Sequence, residues 1–346
     1  MAGLHLTLLI PAVVTFVMTV VAIMFARYYM VEIGVTTIDH NKKRHPILPT
    51  SGGVAVAFGF AMGVLAYIFG GSFNVYYPIA DQYFLFATVL SVLMIAFVGF
   101  LDDLNVKKVM VKSTDMMDYR KGLKQWHKPL FTLIGAIPLM AINAGVSTIA
   151  MPFLGAVNFG ILYPLLIVPL AVIFAANAFN LLGGFDAIAS GSSLILSLGM
   201  LIYSIVYGNY NGTLLSAVLF AAILGFFIFD RYPAKIINGD SFTYGVGAAI
   251  VATAIIGNME AFLLIAFVPW IIEFVLHLRK KFQSTDLGKL QTDGTFVAPY
   301  GKRIYSWTHF IMNLRPMKEW EVSATFWAIE ALFVLLAFGL KIAGLL

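Results

Sequence analysis

The chain has 346 residues, of which 60% are hydrophobic and 11% charged, with a mean hydropathy of +0.90 and a formal net charge of +5. A soluble domain carries roughly 25% charged residues, so the composition excludes a soluble enzyme or a nucleic-acid-binding domain and implies a polytopic membrane protein. The absence of cysteine excludes disulfides and thiolate-bound metal.

Apolar runs long enough to cross a bilayer predict about ten spans. In chain order they are 4–26, 53–71, 82–101, 129–144, 161–178, 187–207, 213–229, 242–257, 260–278 and 323–344. No basic residue precedes the first run and Arg27 follows it, the reverse of a cleavable signal. The fifth span carries Pro164 and Pro169, which predict kinks. No internal repeat is visible and no linker is long enough to fold as a soluble unit. Residues 1–346 therefore read as a single all-α transmembrane domain.

Basic residues orient it. Of the 22 Lys and Arg, 21 lie in linkers after odd-numbered spans, and only Lys341 is left over. By the positive-inside rule these linkers, near 28–52, 102–128, 179–186, 230–241 and 279–322, face the cytoplasm, and both termini lie on the other side.

Asp102-Asp103 directly follows the third apolar run, where two adjacent carboxylates repel each other and lose hydration unless a cation or proton holds them. The same face receives Asn177, Asn180, Asp186 and Asp240. Asn177 and Asn180 are three apart and share a helix face. Asp240 with Asn180 or Asn177 offers the hard oxygen ligands that Mg²⁺ takes. Lysines would balance phosphate charge, and Gly183-Gly184 and Gly239 let backbone amides approach an anion. The combination points to phosphoryl chemistry on a nucleotide from the cytosol. Plainer roles compete: interhelical hydrogen bonds for the asparagines, a helix cap for the acidic pair or Asp240, and close packing for Gly52-Gly53, Gly245 and Gly247. Glu273 and Glu330 lie within spans, where a carboxylate is a functional candidate. Glu330 is remote from the cytoplasmic cluster.

Five stretches in order resemble the polyprenyl-phosphate N-acetylhexosamine-1-phosphate transferases. They are Pro49 to Gly53, Phe100 to Val106, Trp126-His127-Lys128, Asn177 to Gly191, and Tyr232 to Gly247. The text after Asp230 is most similar to the branch that uses UDP-GlcNAc and dolichyl phosphate, and the last linker lacks the His-rich motif of the bacterial phospho-MurNAc-pentapeptide enzymes. The resemblance implies a ten-span catalytic domain in which a lipid phosphate attacks the β-phosphate of a UDP-sugar. It implies Mg²⁺ (or Mn²⁺) on Asn180 and Asp240, and Asp102, Asp103 and Lys128 as catalytic residues at the lipid phosphate. Nucleotide-sugar contacts are expected at Asn177, Gly183, Asp186 and Arg303, with Asp186 on the uracil edge. Ile237 stands where many relatives carry an aromatic, and the 279–322 linker matches poorly.

The expected partners are a UDP-sugar from the cytosol, a polyprenyl or dolichyl phosphate in the bilayer, a second copy of the chain as in relatives, and no nucleic acid. The expected location is the cell membrane or the endoplasmic reticulum membrane, with the site facing the cytoplasm. The competing expectation is an ion-coupled transporter that uses the same carboxylates.

Overall fold

The computed structural model describes residues 2–73, 81–104, 111–113, 116–118, 127–151 and 155–346, with the backbone alone for 2–6, 111–113 and 116–118. The helices are α1 (Ala2–Glu32), α2 (Gly53–Phe73), α3 (Gln82–Asp103), α4 (Lys128–Thr132), α5 (Ile137–Ala141), α6 (Val168–Phe179) and α7 (Ile188–Tyr207). They continue as α8 (Tyr210–Asp230), α9 (Gly239–Gly257), α10 (Glu260–Ala266), α11 (Val268–Leu278), α12 (Trp307–Leu314) and α13 (Glu319–Ile342). Four antiparallel hairpins qualify the all-α expectation: β1 (Thr36–Ile38) with β2 (Ile47–Pro49), β3 (Val111–Ser113) with β4 (Met116–Asp118), β5 (Thr148–Met151) with β6 (Gly155–Asn158), and β7 (Lys289–Leu290) with β8 (Phe296–Val297).

Seven described helices are long and apolar enough to cross a membrane: α1, α2, α3, α7, α8, α9 and α13. The pair α10 and α11 reads as one broken span, bent by 54°. The sequence predicted a single run over 260–278. The break falls just before Pro269, whose ring and missing N–H interrupt the helical ladder. Two shorter apolar segments, Lys128–Ala141 and Tyr163–Phe179, complete the polytopic bundle. The second opens with a π turn over Tyr163–Ile167 before α6, at the prolines that predicted an irregularity.

All residues of α9 are buried, and α2, α3, α6 and α8 pack around it. Small residues permit this closeness. A side chain at Gly53 would overlap the Phe242 backbone, one at Gly247 the Ala175 backbone, and one at Gly99 the Asp240 carbonyl. Gly53 and Gly247 therefore have the packing role read from sequence. Gly99 is an additional contact hidden inside an ordinary apolar run. The result is that the N-terminus of α9 is pressed against the C-terminus of α3.

Candidate active site

Four helix ends converge at one end of the bundle: the ends of α3 and α6 and the beginnings of α4 and α9. Lys128 Nζ lies 2.8 Å from Asp102 Oδ2 and 3.3 Å from Asp240 Oδ2, so one ammonium bridges carboxylates from two helices. Tyr244 donates its hydroxyl to Asp102 Oδ2 at 3.1 Å and receives the Asn180 amide N–H at 3.2 Å. Thr243 Oγ1 donates to Asn180 Oδ1 at 3.0 Å. Of the residues singled out in the sequence, Asp102, Asp103, Lys128, Asn180 and Asp240 thus form one cluster. Lys107, Lys108, Arg120, Lys121 and Lys124 lie outside the described residues, and Lys112 has no described side chain.

The two adjacent aspartates do different work. Asp103 accepts hydrogen bonds from Ser51 Oγ at 2.7 Å, from the Asp240 N–H at 2.8 Å and from the Ser241 N–H at 3.2 Å. Its carboxylate therefore caps α9 from another helix, where orphan N–H groups and the positive end of the helix dipole favour an anion. Gly239 makes the approach possible: its φ is +69°, and a Cβ there would run into the Asp103 carboxylate and the Ser51 backbone. Asp102 faces Lys128 and Asp240 instead.

Beside the cluster lies a cavity of about 210 Å³, lined among others by Asn180, Gly183, Gly184, Asp186, Asp240 and Asp286. Asp186 Oδ2 accepts from Lys42 Nζ at 2.7 Å and from the Ala234 N–H at 2.9 Å. Lys42 also pairs with Glu319 at 2.5 Å and with Asp39 at 3.2 Å, tying the first linker to α13. Burial pushes the Asp186 carboxyl above its ordinary range, against the pull of Lys42 and the Ala234 N–H. Burial alone would lower the Lys42 pKa, but Glu319 and Asp186 outweigh it and hold the ammonium above its ordinary value.

The Gly183 and Gly184 amides, read in the sequence as an anion cradle, already hold a carboxyl group. Asp286 Oδ2 accepts their N–H groups at 3.1 and 2.7 Å. Asn177 and Arg303 are not among the residues that line this cavity. Asn177 donates to Thr132 Oγ1 at 3.1 Å and to the Ile173 carbonyl at 2.8 Å, an interhelical bond of the kind weighed for it. Arg303 is exposed in the last linker. Lys42, Glu319 and Asp286 were missed: each reaches the site from a distant stretch of chain, and only the basic character of the 42–44 segment signalled any of them.

Asp240 and Asn180 bring a carboxylate and an amide oxygen to one cavity, donors that suit Mg²⁺. No group of three or more His, Asp or Glu side chains poised for a metal occurs among the described residues. The remaining positions around such an ion would fall to water and phosphate oxygens, as is usual for Mg²⁺.

Residues 85–258 match the sequence profile of glycosyl transferase family 4. A Sulfolobus acidocaldarius protein is 30% identical over 334 residues, which cover 96% of this chain and 95% of its own. A Saccharolobus solfataricus protein is 29% identical over 334 residues, 96% of both chains. Both are named, provisionally, UDP-N-acetylglucosamine–dolichyl-phosphate N-acetylglucosaminephosphotransferase. A Halalkalibacterium halodurans phospho-N-acetylmuramoyl-pentapeptide-transferase is 27% identical over 352 residues, 98% of both chains. The match spans the acidic pair, Lys128, Asn180 and Asp240, and the chain belongs to glycosyl transferase family 4.

Proposed function

We propose that the protein transfers GlcNAc-1-phosphate from UDP-GlcNAc to a dolichyl or related polyprenyl phosphate, releasing UMP and forming a lipid-linked GlcNAc diphosphate. A lipid-phosphate oxygen bonds to the β-phosphorus while the bond from that phosphorus to the bridging oxygen breaks and UMP leaves. The observation that carries this reading is the Lys128 ammonium held between Asp102 and Asp240, next to Asn180. The names of the two archaeal relatives supply the sugar and the lipid.

A phosphate monoester has its second pKa near 6, so the attacking phosphate is mostly dianionic at neutral pH. A general base then adds little, and positioning with charge neutralisation dominates. In this reading Lys128 contacts phosphate, Asp102 orients Lys128, and Asp103 holds the α9 terminus that carries Asp240. Asp240 and Asn180 are the proposed ligands of Mg²⁺ (or Mn²⁺), which when bound neutralises diphosphate charge. Asp186 is the proposed contact for the uracil edge. An apolar cavity of about 490 Å³ runs along α6, α9 and the bent α10–α11 pair as far as Ala175, about a turn short of Asn180, and supports an isoprenoid chain as the second substrate.

Ten spans are also part of the proposal, with Lys128–Ala141, Tyr163–Phe179 and the bent pair each counted as one. Both termini then lie outside and the site faces the cytosol, where UDP-sugars are made available. An ion-coupled transporter finds no support: Asp102, Asp103, Asp186 and Asp240 gather at one end of the bundle, and the named relatives are transferases.

The test is UMP release by purified protein given UDP-GlcNAc, dolichyl phosphate and Mg²⁺. Asp240→Ala is expected to reduce the rate by at least about a hundredfold, a loss typical of a group that stabilises transition-state charge. Full activity in that variant would remove the metal assignment, and no UMP from the native enzyme with any UDP-sugar would remove the function.

A further inference from the structure

The carboxyl group of Asp286 lines the 210 Å³ cavity, which is also lined by Asp240, the partner of Lys128, and it is unusually constrained. Its Oδ2 is committed to the Gly183 and Gly184 N–H groups. Neither of these amides engages its Oδ1, and Asp286 lines the cavity. The backbone around it is pinned from three sides. The Asp286 carbonyl accepts from Thr308 Oγ1 at 2.5 Å, the Thr285 carbonyl accepts from His309 Nε2 at 2.9 Å, and the Thr285 N–H donates to Tyr300 Oη at 3.3 Å. Asp286 is therefore a fixed acceptor in the cavity wall.

Asp286 puts acceptor oxygens into the cavity wall, which suit N–H or O–H donors and not phosphate oxygens. In the proposed site the diphosphate belongs at the Lys128 ammonium, and Asp286 is left for an uncharged part of the ligand that carries N–H or O–H groups. We propose that Asp286 is a specificity residue whose Oδ1 accepts a hydrogen bond from a neutral donor of the nucleotide-sugar, either the uracil N–H or a sugar hydroxyl. This rests on the reading of the site as a UDP-sugar site and adds to it a residue from the last linker.

Asp286→Asn tests it cleanly because the amide cradle dictates how the new side chain sits. An oxygen must face the two N–H donors, so the NH₂ group points into the cavity and an acceptor becomes a donor. Binding of UDP-GlcNAc, UMP and CDP-GlcNAc to native and variant enzyme is measured by calorimetry, alongside the unfolding temperature. A charge-assisted hydrogen bond lost on substitution corresponds to about a ten- to hundredfold loss of affinity. If the donor is the uracil N–H, UDP-GlcNAc and UMP weaken together and CDP-GlcNAc gains. If it is a hexosamine hydroxyl, UDP-GlcNAc weakens and UMP is unchanged. Unchanged affinity for both overturns the proposal while native UMP release upholds the function. A native enzyme that binds neither ligand overturns both. Should the variant not fold, native enzyme is tested with N3-methyl-UMP and deoxy-sugar analogues of UDP-GlcNAc. Equal binding of all of them overturns the proposal as well.

Discussion

Asp102 and Asp103 are neighbours in sequence with separable roles, and substitution by asparagine should pull them apart. Asp103 accepts from one hydroxyl and two backbone N–H groups at the start of α9. An amide in its place has one acceptor oxygen and sets an NH₂ group against a donor. The expected cost is about 2–3 kcal/mol, the scale of a lost charge-assisted cap, read as a lower unfolding temperature in detergent together with weaker Mg²⁺ dependence as Asp240 shifts. Asp102→Asn should instead leave the unfolding temperature nearly intact and lower turnover, because its contacts are Lys128 and Tyr244 rather than a helix terminus. Equal stability losses in the two variants would refute this division. The anomaly of the pair was legible from sequence, since hydropathy alone reveals a carboxylate at the end of an apolar run. Which acid capped what was not, because the capped N–H groups are 137 and 138 residues away along the chain. Asp286 was invisible for the same reason: nothing local marks an aspartate whose partners are amides about a hundred residues earlier.

The spans could be located by hydropathy, but the elements between them could not, because polar connections are shaped by partners distant in sequence. The last linker illustrates this. Glu273, a candidate functional acid inside a span, accepts from Ser306 Oγ at 2.7 Å and from the Trp307 N–H at 2.8 Å, and so anchors the start of α12 to α11. His309 on α12 is fully buried: Nδ1 accepts the Tyr305 N–H at 3.1 Å, and Nε2 donates to the Thr285 carbonyl at 2.9 Å. Protonation of Nδ1 would set two donors against each other. Burial, with a smaller contribution from nearby His277 and Lys280, depresses the His309 pKa from 6.5 to about 4. Between those values the unfolded chain binds more protons than the fold. The stability from neutral His309 is therefore complete above pH 6.5 and is lost as the pH falls toward 4. At 1.36 kcal/mol per unit the loss approaches about 3 kcal/mol. Amide hydrogen exchange across 284–287 and 305–314, corrected for intrinsic rates, should show protection falling from pH 7 to pH 5, and His309→Gln should flatten that dependence. Protection that stays constant in the native enzyme would exclude the coupling.

At the scale of the molecule, the proposed orientation rests on the sequence, because the bilayer imposes a single rule on every linker at once. Placing 21 of 22 Lys and Arg after odd-numbered spans constrains the inner crossings, since adding or losing one between the basic linkers scatters them over both faces. The chain has no native cysteine, so single cysteines report topology without background. Exposed positions are available at Thr292 between β7 and β8, at Ala156 on β6 and at Leu345 after α13. In sealed vesicles of known orientation, an impermeant maleimide should label Thr292→Cys from the cytoplasmic side alone, and Ala156→Cys and Leu345→Cys from the opposite side alone. Only α13 separates Thr292 from Leu345 as a candidate span, so labelling of both from one side would mean that α13 does not cross and the ten-span topology fails. A fully inverted pattern would preserve the span count and overturn the orientation. It would leave the Lys128–Asp240 cluster facing away from the cytosolic UDP-sugar, and the proposed reaction would then lack its donor substrate at the site.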